Sequence, residues 1–200
     1  MTQKRRKFTR PYGERRYKKR FIIAAEGVKT EPLYFALFDD CDAAIQVKCL
    51  KGARASAPPN VLKRMDNYLR SEGLRKSDEA WLVVDKDQWT DTQLRELHEW
   101  SKKRDNYGFA LSNPTFEFWL LLHFEKGTGI ASSSDCARRL KRFLPDYDKD
   151  IKASVFTTKR INDAVNRAKT KDNPPAEDWP RTSGSTVYKL VENILKTQAS

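Results

Sequence analysis

Cysteine is scarce in this chain: there are three, Cys41, Cys49 and Cys136, an odd number with no C-x-x-C pair. That excludes a disulfide-stapled scaffold and a cysteine zinc site, and it predicts reduced thiols in the cytoplasm. Histidine is scarcer still, at two. Long apolar runs are also missing. None is longer than Phe118 to Leu122, far below the roughly 18 residues a membrane span needs. The N-terminus is charged but no apolar core follows it, so a secretory signal is not expected. Repeats and low-complexity tracts are absent apart from one basic segment.

What is present is positive charge, unevenly placed. Net charge is +12 over 200 residues, with 33% charged and 38% hydrophobic. Residues 1–20 hold ten Lys/Arg against the single acid Glu14, whereas the other 180 residues hold 29 basic and 26 acidic groups. The basicity is therefore concentrated in an arm over 1–20. Lys4, Arg5, Arg6, Lys7, Arg15, Arg16, Lys18 and Lys19 form an electrostatic footprint suited to phosphate backbones. The alternative is a solubilising tail that touches nothing specific.

Beyond the arm, apolar patterning alternates between short continuous runs and helical stripes. Phe21 to Ala25 is apolar throughout and ends in Glu26-Gly27; Trp81 to Val84 is the same and runs into Asp85-Lys86-Asp87. Runs apolar on both faces suit strands buried in a parallel sheet. Ile45, Val47 and Cys49 alternate as a further strand, and Tyr107 to Leu111 make a fourth. Helices are expected over Leu33 to Phe38 with Thr30 as N-cap, from Asn60 onward, after Thr90-Asp91, and over Phe116 to Phe124. This order predicts an α/β fold with a mostly parallel four-stranded sheet flanked by helices, over 21–126. After Gly127 only helical stripes remain, around Cys136 to Leu144, Ile161 to Ala168 and Val187 to Leu195. They are read as a helical extension over 127–200 packed on the sheet domain, joined through a linker from Asp172 to Pro180.

In an open parallel sheet, ligands bind beyond the carboxyl ends of the strands. Glu26 and Asp85, with Asp87, lie there. While the strand persists, Asp85 and Asp87 share a face and Lys86 turns away. Carboxylates gathered so closely repel unless a cation sits between them, and hard oxygen donors suit magnesium. The competing reading is that these acids are turn formers or helix caps. Glu117, at the start of a short helix, is either a further ligand or a carboxylate answering the helix dipole.

Lys29 and Thr30 stand where free backbone N–H groups favour anions, and so are candidates to steady a phosphate. Gly27 permits a tight turn or close approach. Arg138, Arg139 and Arg142 occupy the polar face of their helix, a solvated face first and a phosphate strip second. His123 is read as a core or edge histidine and His98 suggests nothing. Trp81, Trp100 and Trp119 are read as core; Trp89, beside the D-x-D turn, is the one to test for base stacking.

Strand one ending in Glu-Gly and strand three ending in D-x-D resemble the Toprim signature. More finely, the chain resembles the RloB family, prokaryotic proteins often encoded near restriction or antiphage-defence genes. Glu26 through Phe35, Val83 through Asp87, Ser112 through Phe124 and, more loosely, Thr186 through Val191 carry that resemblance. It implies a Toprim-like, Rossmann-like sheet and a divalent-cation-dependent phosphodiester reaction. Asp85 and Asp87 would be ligands to Mg2+ (or Mn2+), and Glu26 a ligand or proton shuttle. The target would be DNA or RNA, transfer RNA included, with an ATPase partner controlling the activity. No nucleophilic Tyr is identifiable and no strand-passage domains fit, so hydrolysis is expected over a topoisomerase reaction. A non-catalytic nucleic-acid-binding or assembly subunit is the alternative. A primase-like transferase would need a nucleotide pocket that these motifs do not supply.

Overall fold

The computed structural model describes residues 18–39, 44–52, 58–87, 89–147 and 151–199. Five strands form one sheet: β1 (Lys19–Ala25), β2 (Ile45–Cys49), β3 (Glu79–Asp85), β4 (Tyr107–Asn113) and β5 (Gly184–Ser185), in the order β2-β1-β3-β4-β5. All neighbours run parallel except β4 and β5, which are antiparallel. The fifth strand corrects the four-stranded expectation. Two residues are too few to show a period, so nothing in their sequence announced a strand. Thr186 extends this join, its N–H donating to Leu111 O and its hydroxyl accepting from Leu111 N–H, both at 2.9 Å. The segment after 127 therefore supplies part of the sheet as well as helices.

Between the strands lie α1 (Thr30–Ala36), α2 (Pro58–Glu72), α3 (Asp91–Ser101) and α4 (Phe116–Leu121); α5 (Ser133–Leu140), α6 (Thr158–Lys171) and α7 (Val187–Gln198) follow. Strand alternation sorts the apolar residues into two cores. Phe21, Ile23, Trp81, Val83 and Ala110 face α1 and α4 through α7, meeting Tyr34, Phe35, Trp119 and Leu190. Ile22, Ala24, Leu82, Val84 and Leu111 face α2 and α3, meeting Val61, Met65, Leu94 and Trp100. Each such fully buried large side chain contributes about 1.5–3 kcal/mol. Trp179, from the segment read as a linker, is fully buried in the second core.

Several boundaries move. Helix α1 begins at Thr30 with Lys29 at the N-cap position and no side-chain cap bond, so Thr30 does not cap it. Thr90 does cap α3, in a reciprocal box with Gln93. β1 starts at Lys19, which places Lys19 and Arg20 in the sheet. The helix expected to reach Phe124 stops at Leu121 and continues as a turn. No helix among the described residues is long and apolar enough to cross a membrane.

The sheet's order reverses at β1. The chain crosses from β1 to β2 on one side, then returns through α2 to β3 on the other. Crossovers on opposite sides leave a crevice between the carboxyl ends of β1 and β3. Glu26 and Asp85 stand at those two ends.

Candidate functional site

Register fixes the first pair. Ala25 aligns with Val83, and Glu26 N–H donates to Val83 O at 2.9 Å. The Glu26 side chain then turns across the crevice: its Oε2 accepts the Asp85 backbone N–H at 3.1 Å and the Trp89 indole N–H at 2.9 Å. Burial raises the proton affinity of Glu26, those two bonds lower it, and the charges of Glu31 and Asp87 raise it again. Trp89 is half-buried with its ring nitrogen bonded to Glu26. It braces an acid, a role its proximity to the turn did not reveal.

Strand β3 ends at Asp85, so pleat alternation does not carry through to Asp87. The turn is held instead by the Ser112-Asn113-Pro114 stretch. Lys86 N–H donates to Ser112 O at 2.9 Å and to Pro114 O at 3.1 Å, and Asp87 N–H donates to Pro114 O at 3.1 Å. The Asn113–Pro114 peptide is cis. The Lys86 ammonium points away, to Trp89 O at 3.0 Å and the Asp91 carboxylate at 2.9 Å. Asp87 is exposed.

Glu31 was not singled out from sequence, yet it is buried at 5% exposure beside these acids. Its Oε1 accepts the Gly27 N–H at 2.9 Å. A Cβ on Gly27 would stand 2.0 Å from Glu31 Oε2, which is why glycine follows Glu26. The available signal was an acid four residues beyond Gly27, one turn before the core residues Tyr34 and Phe35 of the same helix.

Glu117, in the first turn of α4, accepts the Tyr147 hydroxyl at 3.0 Å. Tyr147 Oη lies 3.5 Å from Thr30 Oγ1. With the Tyr147 hydroxyl donating to Glu117, Thr30 is the donor to Tyr147. Burial, then the charge of Glu117, pushes the Tyr147 phenol well above its ordinary range. Thr115 Oγ1, at 7% residue exposure, is buried with no hydrogen-bond partner among the described residues. Arg64 reaches from α2 to the end of β1, its Nη2 donating to Ala25 O.

Asp85 is the centre of this arrangement. It keeps partial solvent contact by surface area but sits among densely packed atoms, and it is held well above the usual carboxylate range. Burial is the first cause; the charges of Glu31, Glu26, Glu117 and Asp87 follow. Five acids thus share one electrostatic neighbourhood, and four of the five are the residues read from sequence. They do not stand as a ligand cage: among the described residues no group of three or more His, Cys, Asp or Glu is arranged to hold a metal ion. Glu26, Glu31 and Glu117 each spend an oxygen on a protein donor. The donor chemistry fits a hard divalent cation, being all oxygen with excess negative charge. Ligation would require these side chains to rearrange.

The remaining sequence candidates fall elsewhere. Lys4, Arg5, Arg6, Lys7, Arg15 and Arg16 lie outside the described residues. Lys18 is exposed, and Lys19 pairs with Glu79 at 2.7 Å, at the opposite end of β1 from Glu26. Lys29 is exposed at the crevice end, whereas Thr30 is buried and turned to Tyr147. The Gly27 N–H already holds the Glu31 carboxylate, so an incoming phosphate would have to displace an anion there. Arg138 pairs with Asp135 at 2.5 Å and Arg139 with Glu125, while Arg142 is exposed. His123 is a core residue: Nδ1 faces Trp119 O and Leu120 O at 3.1 Å, leaving Nε2 to accept from Tyr34 Oη at 3.1 Å.

The family model for RloB-like proteins matches residues 21–194. No curated protein and no solved structure matches the chain.

Proposed function

The chain belongs to the RloB-like family, and from that premise we propose that it is a Mg2+- or Mn2+-dependent nuclease with a Toprim-type site. One observation carries the proposal: Asp85, at the mouth of the sheet's reversal point, gives its N–H to the Glu26 carboxylate and lies in the field of Glu31, Glu117 and Asp87 as well. Excess negative charge at a ligand-binding crevice suits cation-assisted phosphodiester chemistry better than it suits a stable fold.

Asp85 and Asp87 would hold the cation, with Glu26 and Glu117 as further oxygen donors. Bound there, a divalent cation supplies charge neutralisation at the scissile phosphate and a lowered pKa for an attacking water. The chain's own groups do the rest. The Asp85 N–H and the Trp89 indole fix Glu26, whose raised proton affinity suits it to accept and return a proton. Tyr147 orients Glu117, and Glu31 holds the Glu26-Gly27 turn closed.

The substrate is proposed to be DNA or RNA, transfer RNA included, and the setting a prokaryotic antiphage-defence effector in the cytoplasm restrained by an ATPase partner. These follow from the family resemblance. The test is incubation with plasmid, single-stranded DNA and total transfer RNA, in magnesium or manganese, beside Glu26→Gln and Asp85→Ala. Cleavage by the wild type and its loss in both variants is expected. Equal cleavage by Glu26→Gln overturns the mechanism. An ATPase gene beside the coding sequence would support the restraint.

A second reading has its own observation. Because Glu26, Glu31 and Glu117 are each bonded to a protein donor, a non-catalytic nucleic-acid-binding or assembly subunit also fits. Asp85→Ala separates the two, since a binding subunit keeps its affinity and a nuclease loses turnover.

A further inference from the structure

The acids occupy one end of the sheet, and the other end is built differently. There, three segments converge on Asp78, which is fully buried. Arg20 donates its N–H to Asp78 Oδ1 at 3.0 Å and its Nε–H to Oδ2 at 2.9 Å. Arg75 N–H donates to Oδ2 at 3.2 Å. Asn106 Nδ2 donates to Asp78 O at 2.9 Å and to Arg75 O at 3.2 Å. The start of β1, the α2–β3 loop and the α3–β4 loop are therefore fixed to one another.

What these joined loops present is mostly cationic. Lys18, Arg70, Arg75, Lys76, Lys102, Lys103 and Arg104 are exposed there, against exposed Glu72, Glu99 and Asp105. Of these acids, Glu99 pairs with Lys102 at 3.1 Å. Arg70 and Arg104 line one cleft of about 730 Å³ with Asp66, Leu69, Gly73, Leu74 and Tyr107. The cleft's acid is partly spent, since Asp66 Oδ1 accepts the Trp100 indole at 2.9 Å. Arg104 rests 5.6 Å over the Tyr107 ring, itself stacked 4.3 Å from Trp100.

Distance keeps this surface independent of the acids. Strand β1 runs the whole way between the two ends, and its seven residues span roughly 20 Å. That is about two screening lengths at 0.1 M salt, so the carboxylates do not cancel the basic end. Apolar side chains that would enter a lipid layer are not found there: the exposed large hydrophobics among the described residues are Val28, Leu33 and Phe143, none from these loops.

We propose that the cleft and loops at the amino end of the sheet form a second nucleic-acid site, gripping the phosphodiester backbone of a duplex away from the carboxylates. This rests on the proposed nucleic-acid partner but not on hydrolysis. The experiment uses the full chain carrying Asp85→Asn, in EDTA, with a dye-labelled duplex DNA followed by anisotropy over a salt series. The test variant adds Arg70→Gln, Lys76→Gln, Lys103→Gln and Arg104→Gln; the control adds Lys159→Gln and Lys171→Gln, exposed on α6. Each phosphate contact contributes about 0.9 to the slope of log K against log salt. The test variant is expected to lose about 2 to 4 from that slope and at least about tenfold in affinity at low salt, while the control keeps both.

A test variant with an unchanged slope overturns the proposal, as does a control that loses as much. So does a parent chain that binds no duplex, or one that prefers phosphatidylcholine–phosphatidylserine vesicles to duplex. Thermal melts confirm that each variant is folded, and single substitutions replace the set if it is not. Hydrolysis by the chain without the Asp85 change is scored separately. Binding through this end without cleavage sinks the nuclease alone, and cleavage with an unaltered slope sinks the second site alone.

Discussion

The Trp89 indole and the Glu26 carboxylate are joined at 2.9 Å, linking the turn after β3 to the end of β1 across the sheet's reversal point. The same oxygen takes the Asp85 N–H. Glu26 is thus oriented by two donors from the segment that carries the other acids. Trp89→Phe removes one donor and keeps an aromatic side chain, though a smaller one. A hydrogen bond to a charged group contributes about 1.5–3 kcal/mol, so turnover on a cleaved substrate is expected to fall about tenfold or more. Unfolding midpoints beside initial rates check this, a loss of rate at near-native stability being the expected result.

Gly27 and Glu31 make a coupled pair. Gly27→Ala sets a methyl against Glu31 Oε2 at 2.0 Å, an overpacking expected to cost about 1–3 kcal/mol. Glu31→Ala removes the obstacle. The double variant is expected to be less destabilised than the two single losses added together, and a denaturation cycle over the four proteins measures the difference. Strict additivity would contradict the contact.

Tyr147→Phe deletes the donor to Glu117 Oε1 and the acceptor beside Thr30. Loss of a hydrogen bond to a charged, half-buried carboxylate costs about 1.5–3 kcal/mol, which urea unfolding reads directly. If Glu117 helps to hold the cation, the magnesium or manganese concentration for half-maximal cleavage is expected to rise. A variant less stable but unchanged in cation dependence would assign Tyr147 to the fold alone.

His123 gives a pH signature. Its ring is neutral and its pKa is pushed down to about 3, chiefly by burial, whereas an unfolded chain takes up that proton near about 6.5. Between those values the unfolded state binds more protons. The stability contribution is therefore complete above the unfolded value and is lost as pH falls toward the folded one, by at most about 1.4 kcal/mol per pH unit. Urea midpoints at neutral pH and near pH 5, compared with His123→Gln, are expected to show a shallower decline in the variant.

Much of this was legible in the residues. Continuous apolar runs marked β1 and β3, and their terminal acids marked the crevice where the candidate site lies, because a parallel sheet with a reversed order offers one there. Elements defined by tertiary partners were not legible. β5 is two residues long and is defined only by its antiparallel pairing with Ser112 and Asn113. Trp179 sat in a segment whose prolines read as a linker, yet it fills the second core. Glu31 looked like an ordinary first-turn acid, and only the folded turn at Gly27 shows what it closes. The strand period predicted where Asp85 points but not Asp87, because the strand stops and Pro114 takes over.

That carbonyl of Pro114 has a mechanical consequence. It receives both Lys86 and Asp87 N–H, and Glu117 stands in the first turn of α4, three positions downstream. Asp87 and Glu117 are in effect mounted on one bracket. Any force that tilts the start of α4 carries both carboxylates in the same direction, so the spacing between them is preserved while their reach toward Glu26 changes.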